Sequence, residues 1–137
     1  MVAPDLPREA EVVVVGGGCM GTSIAFHLAR RDVDVVLLEK GHVAGGATGH
    51  SGALVRQHYE ARIGIRLARE SLAFFRRFEK ETGFSCDFRT TGFLSGTRER
   101  DLRAFEALIE LLRLEGVRAE RLTPSDAKTM EDRKSVV

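Results

Sequence analysis

Four valines run directly into three glycines at the head of EVVVVGGGCMGTSIAFHLARRDVDVVLLEK, residues 11–40. An unbroken β-branched run is the pattern of a strand buried on both faces, as in a parallel sheet covered by helices. From Cys19 to Arg30 the apolar residues Met20, Ile24, Ala25 and Leu28 fall at helical spacing, and Arg30 and Arg31 place positive charge where a helix C-terminus favours it. Residues 33–39 read as a second strand. A strand, a helix and a strand of this length predict a right-handed β-α-β crossover and place the chain in the α/β class.

Gly16, Gly18 and Gly21 make a GxGxxG directly after the first strand and at the opening of the helix, and Glu39 lies 18 residues past Gly21. Gly16 permits the tight turn, Gly18 lets a pyrophosphate approach bare backbone, and Gly21 allows the helix to pack close to the strand. Phosphate charge would rest on the helix N-terminus. A carboxylate at the end of the second strand can accept hydrogen bonds from ribose hydroxyls and disfavours a 2′-phosphate, which argues against NADP. NAD and FAD both remain. The Gly, Ala, Ser, Thr and His-rich loop of residues 40–59 favours FAD, because small residues and hydroxyls beside the glycine turn suit a permanently enclosed flavin.

The 137 residues, 43% hydrophobic and 30% charged, are enough for one core. Basic and acidic side chains nearly balance, 21 against 20, so no global field draws the chain to nucleic acid or an anionic membrane, and a small-molecule partner is expected. Cys19 and Cys86 lie far apart without CxxC spacing, which suits reduced thiols and a cytoplasmic location. The N-terminus MVAPDLPREAE lacks the pattern of a secretory signal, and the longest apolar runs fall far short of the roughly 18 residues of a membrane span.

Beyond the loop, residues 60–81 predict one long helix on which Ile63, Leu67, Ser71, Phe74 and Phe78 recur, with Gly83 as its cap. Residues 84–96 are rich in Phe and Thr and read as a strand or hairpin. Residues 99–114 repeat helical spacing through Leu102, Phe105, Leu108, Ile109 and Leu112, and Gly116 stops them. Residues 117–122 suggest another short strand, and TPSD at 123–126 a helix start. Phe74 and Phe75 read as core, and His27 as a packing residue. His42 and His58 have no metal-ligand spacing, so no metal site is expected.

The three glycines, Glu39-Lys40, GGATGHSGALVRQHY, RTTGFL and LTPSDA together resemble the N-terminal part of the FAD-dependent amine and amino acid oxidoreductases. This is the D-amino acid oxidase superfamily, and the likeness is to its sarcosine oxidase, dimethylglycine dehydrogenase and glycine oxidase branch. The resemblance implies a Rossmann-like FAD-binding βαβ unit with its flavin loop and long helix over residues 1–83. The start of an α+β substrate domain, incomplete, would follow over 84–137. It further implies oxidation of a carbon next to the nitrogen of a small amine or amino acid, sarcosine- or glycine-like. Gly16, Gly18, Cys19, Met20 and Gly21 would contact the pyrophosphate, Glu39 and Lys40 the adenosine side, and Ala47, Thr48 and Ser51 the flavin half. Arg56 would meet the flavin and a substrate carboxylate as a bidentate partner, or it is a surface arginine. His50 falls at the position of a histidine that bonds covalently to flavin in dimethylglycine dehydrogenases; Gly49 stands here in place of the tryptophan before it, which favours a non-covalent polar contact. Family members continue past this point, so the chain reads as a truncation, frameshift or fragment that would not turn over an amine alone. An NAD-linked dehydrogenase fragment and a non-catalytic dinucleotide-binding module are the alternatives.

Overall fold

A computed structural model describes residues 7–134; the first six residues and the final SVV lie outside the described residues, and so do the readings that fall on them. β1 (Val12–Val15) and β2 (Val35–Leu38) pair in parallel, Val12 opposite Val35 and Val15 opposite Leu38, with α1 (Cys19–Ala29) as the crossover. The chain divides into two compact units between Leu54 and Val55. The single core expected from composition is therefore not what forms. Of the larger apolar residues of the loop, Val43, Leu54 and Tyr59 are exposed, and the buried apolar side chains among the described residues, Ile65, Ile109 and Leu112, all belong to the second unit.

β1 departs from its expected burial. Val12 and Val14 are half-buried, whereas Val13 and Val15 are 54% and 82% exposed. One helix covers one face of a two-stranded sheet, and among the described residues of this unit no second helix or sheet covers the other. Met20 and Ile24 are likewise exposed, while Ala25, Phe26 and Leu28 are half-buried.

In the second unit the long helix is broken at Arg77 into α2 (Arg62–Arg76) and α3 (Phe78–Thr82), and α3 closes on Gly83 at φ +79°. The rings of Phe74, Phe75, Phe78 and Phe88 cluster there, Phe75 stacked on Phe88 at 5.7 Å between centroids. The face of α2 that turns inward carries Ile65, fully buried, and not Ile63 and Leu67, which are exposed. The cause is ionic. Arg62 and Arg66 bind the Glu115 carboxylate at 2.7 Å each, Arg69 donates to the Glu115 carbonyl, and Ile65 lies on the same side of the helix as these arginines.

A 3₁₀ turn (Glu99–Asp101) leads into α4 (Leu102–Leu114), which contains the buried Ile109 and Leu112 and ends before Gly116 at φ +75°. α5 (Pro124–Lys134) starts at the TPSD signal, with Thr123 and Asp126 exchanging side-chain-to-backbone bonds. Among the described residues, the strand or hairpin expected at 84–96 and the strand expected at 117–122 do not form. A strand needs a ladder partner, and neither segment finds one. Asp87 at φ +50° and Gly92 at φ +80° turn the first, and the second is tied to a helix end by Val117 N–H on Leu112 O at 2.8 Å.

Glu115 is 6% exposed, and the Arg66 guanidinium holds its carboxyl below the ordinary value of 4.5. A depressed carboxyl contributes stability above that value and loses it as pH falls through the lower, folded one. Glu115→Gln should lower the unfolding midpoint of the second unit by roughly 5 °C, since the exposed arginines rehydrate and soften the loss. Thermal melts from neutral to acid pH check this: the wild-type midpoint falls below pH 4.5, and the variant lacks that component.

Candidate functional site

β1 ends at Gly16, whose N–H donates to Leu38 O at 2.8 Å and whose φ is +105°. An added Cβ there would meet nothing within 4 Å, so the demand for glycine is conformational. At Gly21 the demand is spatial, because a Cβ would lie 1.9 Å from Gly16 O. At Gly18, the residue preceding α1, a Cβ would lie 3.2 Å from Thr48 Oγ1.

Glu39 points into this turn. Its Oε2 accepts the Gly17 N–H at 2.7 Å and its Oε1 the Gly41 N–H at 2.8 Å. Those bonds, Gly17's first, hold the carboxyl below its ordinary 4.5, so it is ionised at neutral pH. Gly17 is buried and also accepts the Ala44 N–H at 2.9 Å, and a Cβ on it would lie 3.1 Å from Glu39 Cβ. The sequence motif treats position 17 as free. Its signal was the middle glycine of the run, which falls at a variable position of the motif.

Residues 41–53 fold into successive turns pinned to α1. Thr48 Oγ1 accepts the Cys19 N–H at 2.9 Å, and Ser51 N–H donates to Thr48 O at 3.2 Å. Ala44 adopts φ +61°, and a Cβ at Gly49 would lie 2.4 Å from Ala44 O, so this loop path accepts no side chain at 49. His50 Nδ1 lies 2.8 Å from Gly46 O. A carbonyl only accepts, so Nδ1 carries a proton and donates in this contact. Met20, Lys40 and Ala47 are exposed.

The first unit holds Gly16, Gly18, Cys19, Met20, Gly21, Glu39, Lys40, Ala47, Thr48, His50 and Ser51. Direct contacts join Gly16 to Gly21, Gly18 and Cys19 to Thr48, Thr48 to Ser51, and Glu39 to the glycine turn. Arg56 belongs to the second unit, its Cζ 5.7 Å from the centroid of the Tyr59 ring. An α-helix leaves its opening amides without internal partners. Cys19 has Thr48, and among the described residues the amides of Met20 and Gly21 are left for an acceptor outside the helix. The first turn of α1 carries no acid. Bare amides, a helix dipole and an ionised carboxylate at the end of β2 suit a diphosphate and a ribose diol. Among the described residues no group of three or more His, Cys, Asp and Glu could hold a metal ion.

The family model described as FAD dependent oxidoreductase matches residues 11–136. Dimethylglycine dehydrogenase, mitochondrial, of Rattus norvegicus is 39% identical over 103 residues, 71% of this chain and 12% of that protein. The pyruvate dehydrogenase phosphatase regulatory subunit, mitochondrial, of Mus musculus is 32% identical over 121 residues, 87% of this chain and 14% of that protein. The crystal structure of L-proline dehydrogenase from P. horikoshii matches with a TM-score of 0.83 at 33% identity, over 90% of this chain and 33% of that one. The chain spans at most 14% of the length of these two curated relatives.

Proposed function

Since the chain belongs to the FAD dependent oxidoreductase family, whose cofactor is FAD, we propose that it is the N-terminal part of an enzyme oxidising the C–N bond of a small amine or amino acid. The observation that carries the reading is Glu39 bonded to the glycine turn beside the open amides of α1. In this reading Gly16, Gly18, Cys19, Met20 and Gly21 hold the diphosphate and Glu39 and Lys40 the adenosine side. Ala47, Thr48, His50 and Ser51 follow the dinucleotide toward the flavin. Residues 1–83 then serve the cofactor and residues 84–137 begin the substrate domain. Bound flavin supplies a hydride acceptor for the carbon next to the substrate nitrogen. The chain's own part is to fix the dinucleotide through backbone amides and, through Arg56, to grip a substrate carboxylate with a planar two-pronged donor.

Two relatives support the substrate class. By their names, dimethylglycine dehydrogenase acts on a tertiary amino acid and L-proline dehydrogenase on a secondary one, both carboxylates. The mouse relative is named a regulatory subunit, which favours as a second reading a dinucleotide-binding module without turnover. Among the described residues no helix is long and apolar enough to cross a membrane. Cys19 and Cys86 are free, which suits a reducing compartment, cytoplasmic in this reading, although both curated relatives above are named mitochondrial.

Equilibrium dialysis of the chain against FAD and NAD tests the cofactor assignment. Retained yellow FAD, with NAD passing freely, is the expected result; retention of NAD alone would overturn it. Run on a denaturing gel, the FAD-loaded protein should give a band without flavin fluorescence, since His50 serves as a polar contact. A fluorescent band lost in His50→Ala would establish a covalent link instead.

A further inference from the structure

We propose that Tyr59 is a positioning residue that presets Arg56 for the carboxylate of an amino-acid-like substrate, an inference that rests on the reading of Arg56 given above. The two residues share the short segment before α2, and the Arg56 guanidinium sits 5.7 Å from the ring centroid, inside cation–π range. The ring is itself held. An added Cβ on Gly64, in the first turn of α2, would lie 3.3 Å from Tyr59 Cβ and 3.4 Å from Cγ, so the ring rests on bare helix backbone.

Arg56 differs from the arginines just after it. Arg62 and Arg66 have their donors committed to Glu115. Among the described residues Arg56 has no carboxylate within ion-pair distance and donates no hydrogen bond; its only interaction is with the ring. A π face engages the charge of a guanidinium and none of its five N–H donors. The fork therefore stays open for a bidentate carboxylate while the side chain has already lost part of its rotamer freedom, which lowers the entropy lost on binding. Replacing Tyr59 by leucine keeps bulk against Gly64 and removes the quadrupole; phenylalanine keeps both.

The test uses the 15N-labelled 137-residue chain, with the Arg56 Nε–H resonance assigned by its disappearance in Arg56→Lys. Without ligand, this resonance should carry a ring-current shift that Tyr59→Leu removes and Tyr59→Phe keeps. Titration with acetate and with N-methylglycine should then give carboxylate affinities about threefold weaker in Tyr59→Leu and close to wild type in Tyr59→Phe. Gly64→Ala is the second variant. It should weaken carboxylate binding by displacing the ring while the chain stays folded by circular dichroism, and the ring-current shift on Arg56 should fall with it, a pairing that a purely structural role for Tyr59 does not give. If wild type responds to carboxylate and Tyr59→Leu responds equally, the positioning role is overturned and the Arg56 reading stands. If Arg56 in wild type ignores both probes, the carboxylate reading falls and takes this inference with it.

Discussion

Replacing Gly21 by alanine is expected to cut FAD affinity by about 100-fold, the loss of one or two charge-assisted hydrogen bonds, and to lower the unfolding midpoint of the first unit by roughly 5 °C or more. The added methyl would lie 1.9 Å from Gly16 O and 3.4 Å from Val14 Cγ1. Neither neighbour is the end of a flexible side chain that could step aside. The start of α1 would have to lift away from β1. It is tied there by Cys19 N–H on Thr48 and, through Gly17, by Glu39 and Ala44, so the movement would break the bonds that aim its amides at the diphosphate. Gly46→Ala is the control, because a Cβ there meets nothing within 4 Å and Gly46 is not among the positive-φ glycines. Dialysis against FAD and thermal melts of both variants decide it; Gly21→Ala binding within about threefold of wild type would mean that close packing of helix on strand is not what the site depends on.

That the demand at Gly21 could be read before any coordinates, and the one at Gly17 could not, marks where sequence reasoning stops. A β-α-β unit is written in local pattern: valine runs, helical spacing, glycines where the chain must turn and an acid at the end of the second strand. Each is decided by neighbours within a few residues, and β1, α1 and β2 formed where that pattern put them. Gly17, Ala44 and Gly41 act through contacts that depend on how the loop after β2 folds back. Residue type shows only that the loop is made of small residues, not that Ala44 would bond to Gly17 O. The misplaced strands have a different cause. The Phe- and Thr-rich residues 84–96 report a preference for extended backbone, but strand formation is a property of pairs, and among the described residues nothing pairs with them. On α2 the apolar spacing holds at Phe74, which is half-buried against Phe78, but Ile63 and Leu67 are exposed. The buried Ile65 shares its side of the helix with three arginines bound to a residue about fifty positions away, a contact no local pattern shows.

Glu39→Gln is expected to lower FAD affinity by roughly 10- to 100-fold, the range for losing one or two hydrogen bonds to a charged group. In the wild type each carboxylate oxygen takes one backbone amide, Gly17's at 2.7 Å and Gly41's at 2.8 Å, and each has a further lone pair for a ribose hydroxyl. Glutamine can satisfy only one of the two amides. Its NH₂ faces the other, donor against donor, so the variant loosens the turn and the loop at once before any ribose arrives. The pH dependence follows from the same bonds. The Gly17 and Gly41 amides hold the Glu39 carboxyl below its ordinary 4.5. Its contribution is therefore complete above that value and disappears as pH falls through the lower value of the folded chain. FAD affinity of the wild type should be level near neutrality and fall in acid below pH 4.5, whereas Glu39→Gln should start lower and lack that step. Glu115 is depressed over the same window, but it lies in the second unit, so repeating the titration in a Glu115→Gln background separates the two. A step that persists there belongs to Glu39; a step that vanishes would mean that acid acts on FAD binding by unfolding the second unit, and the clamp on the glycine turn would not be what senses pH.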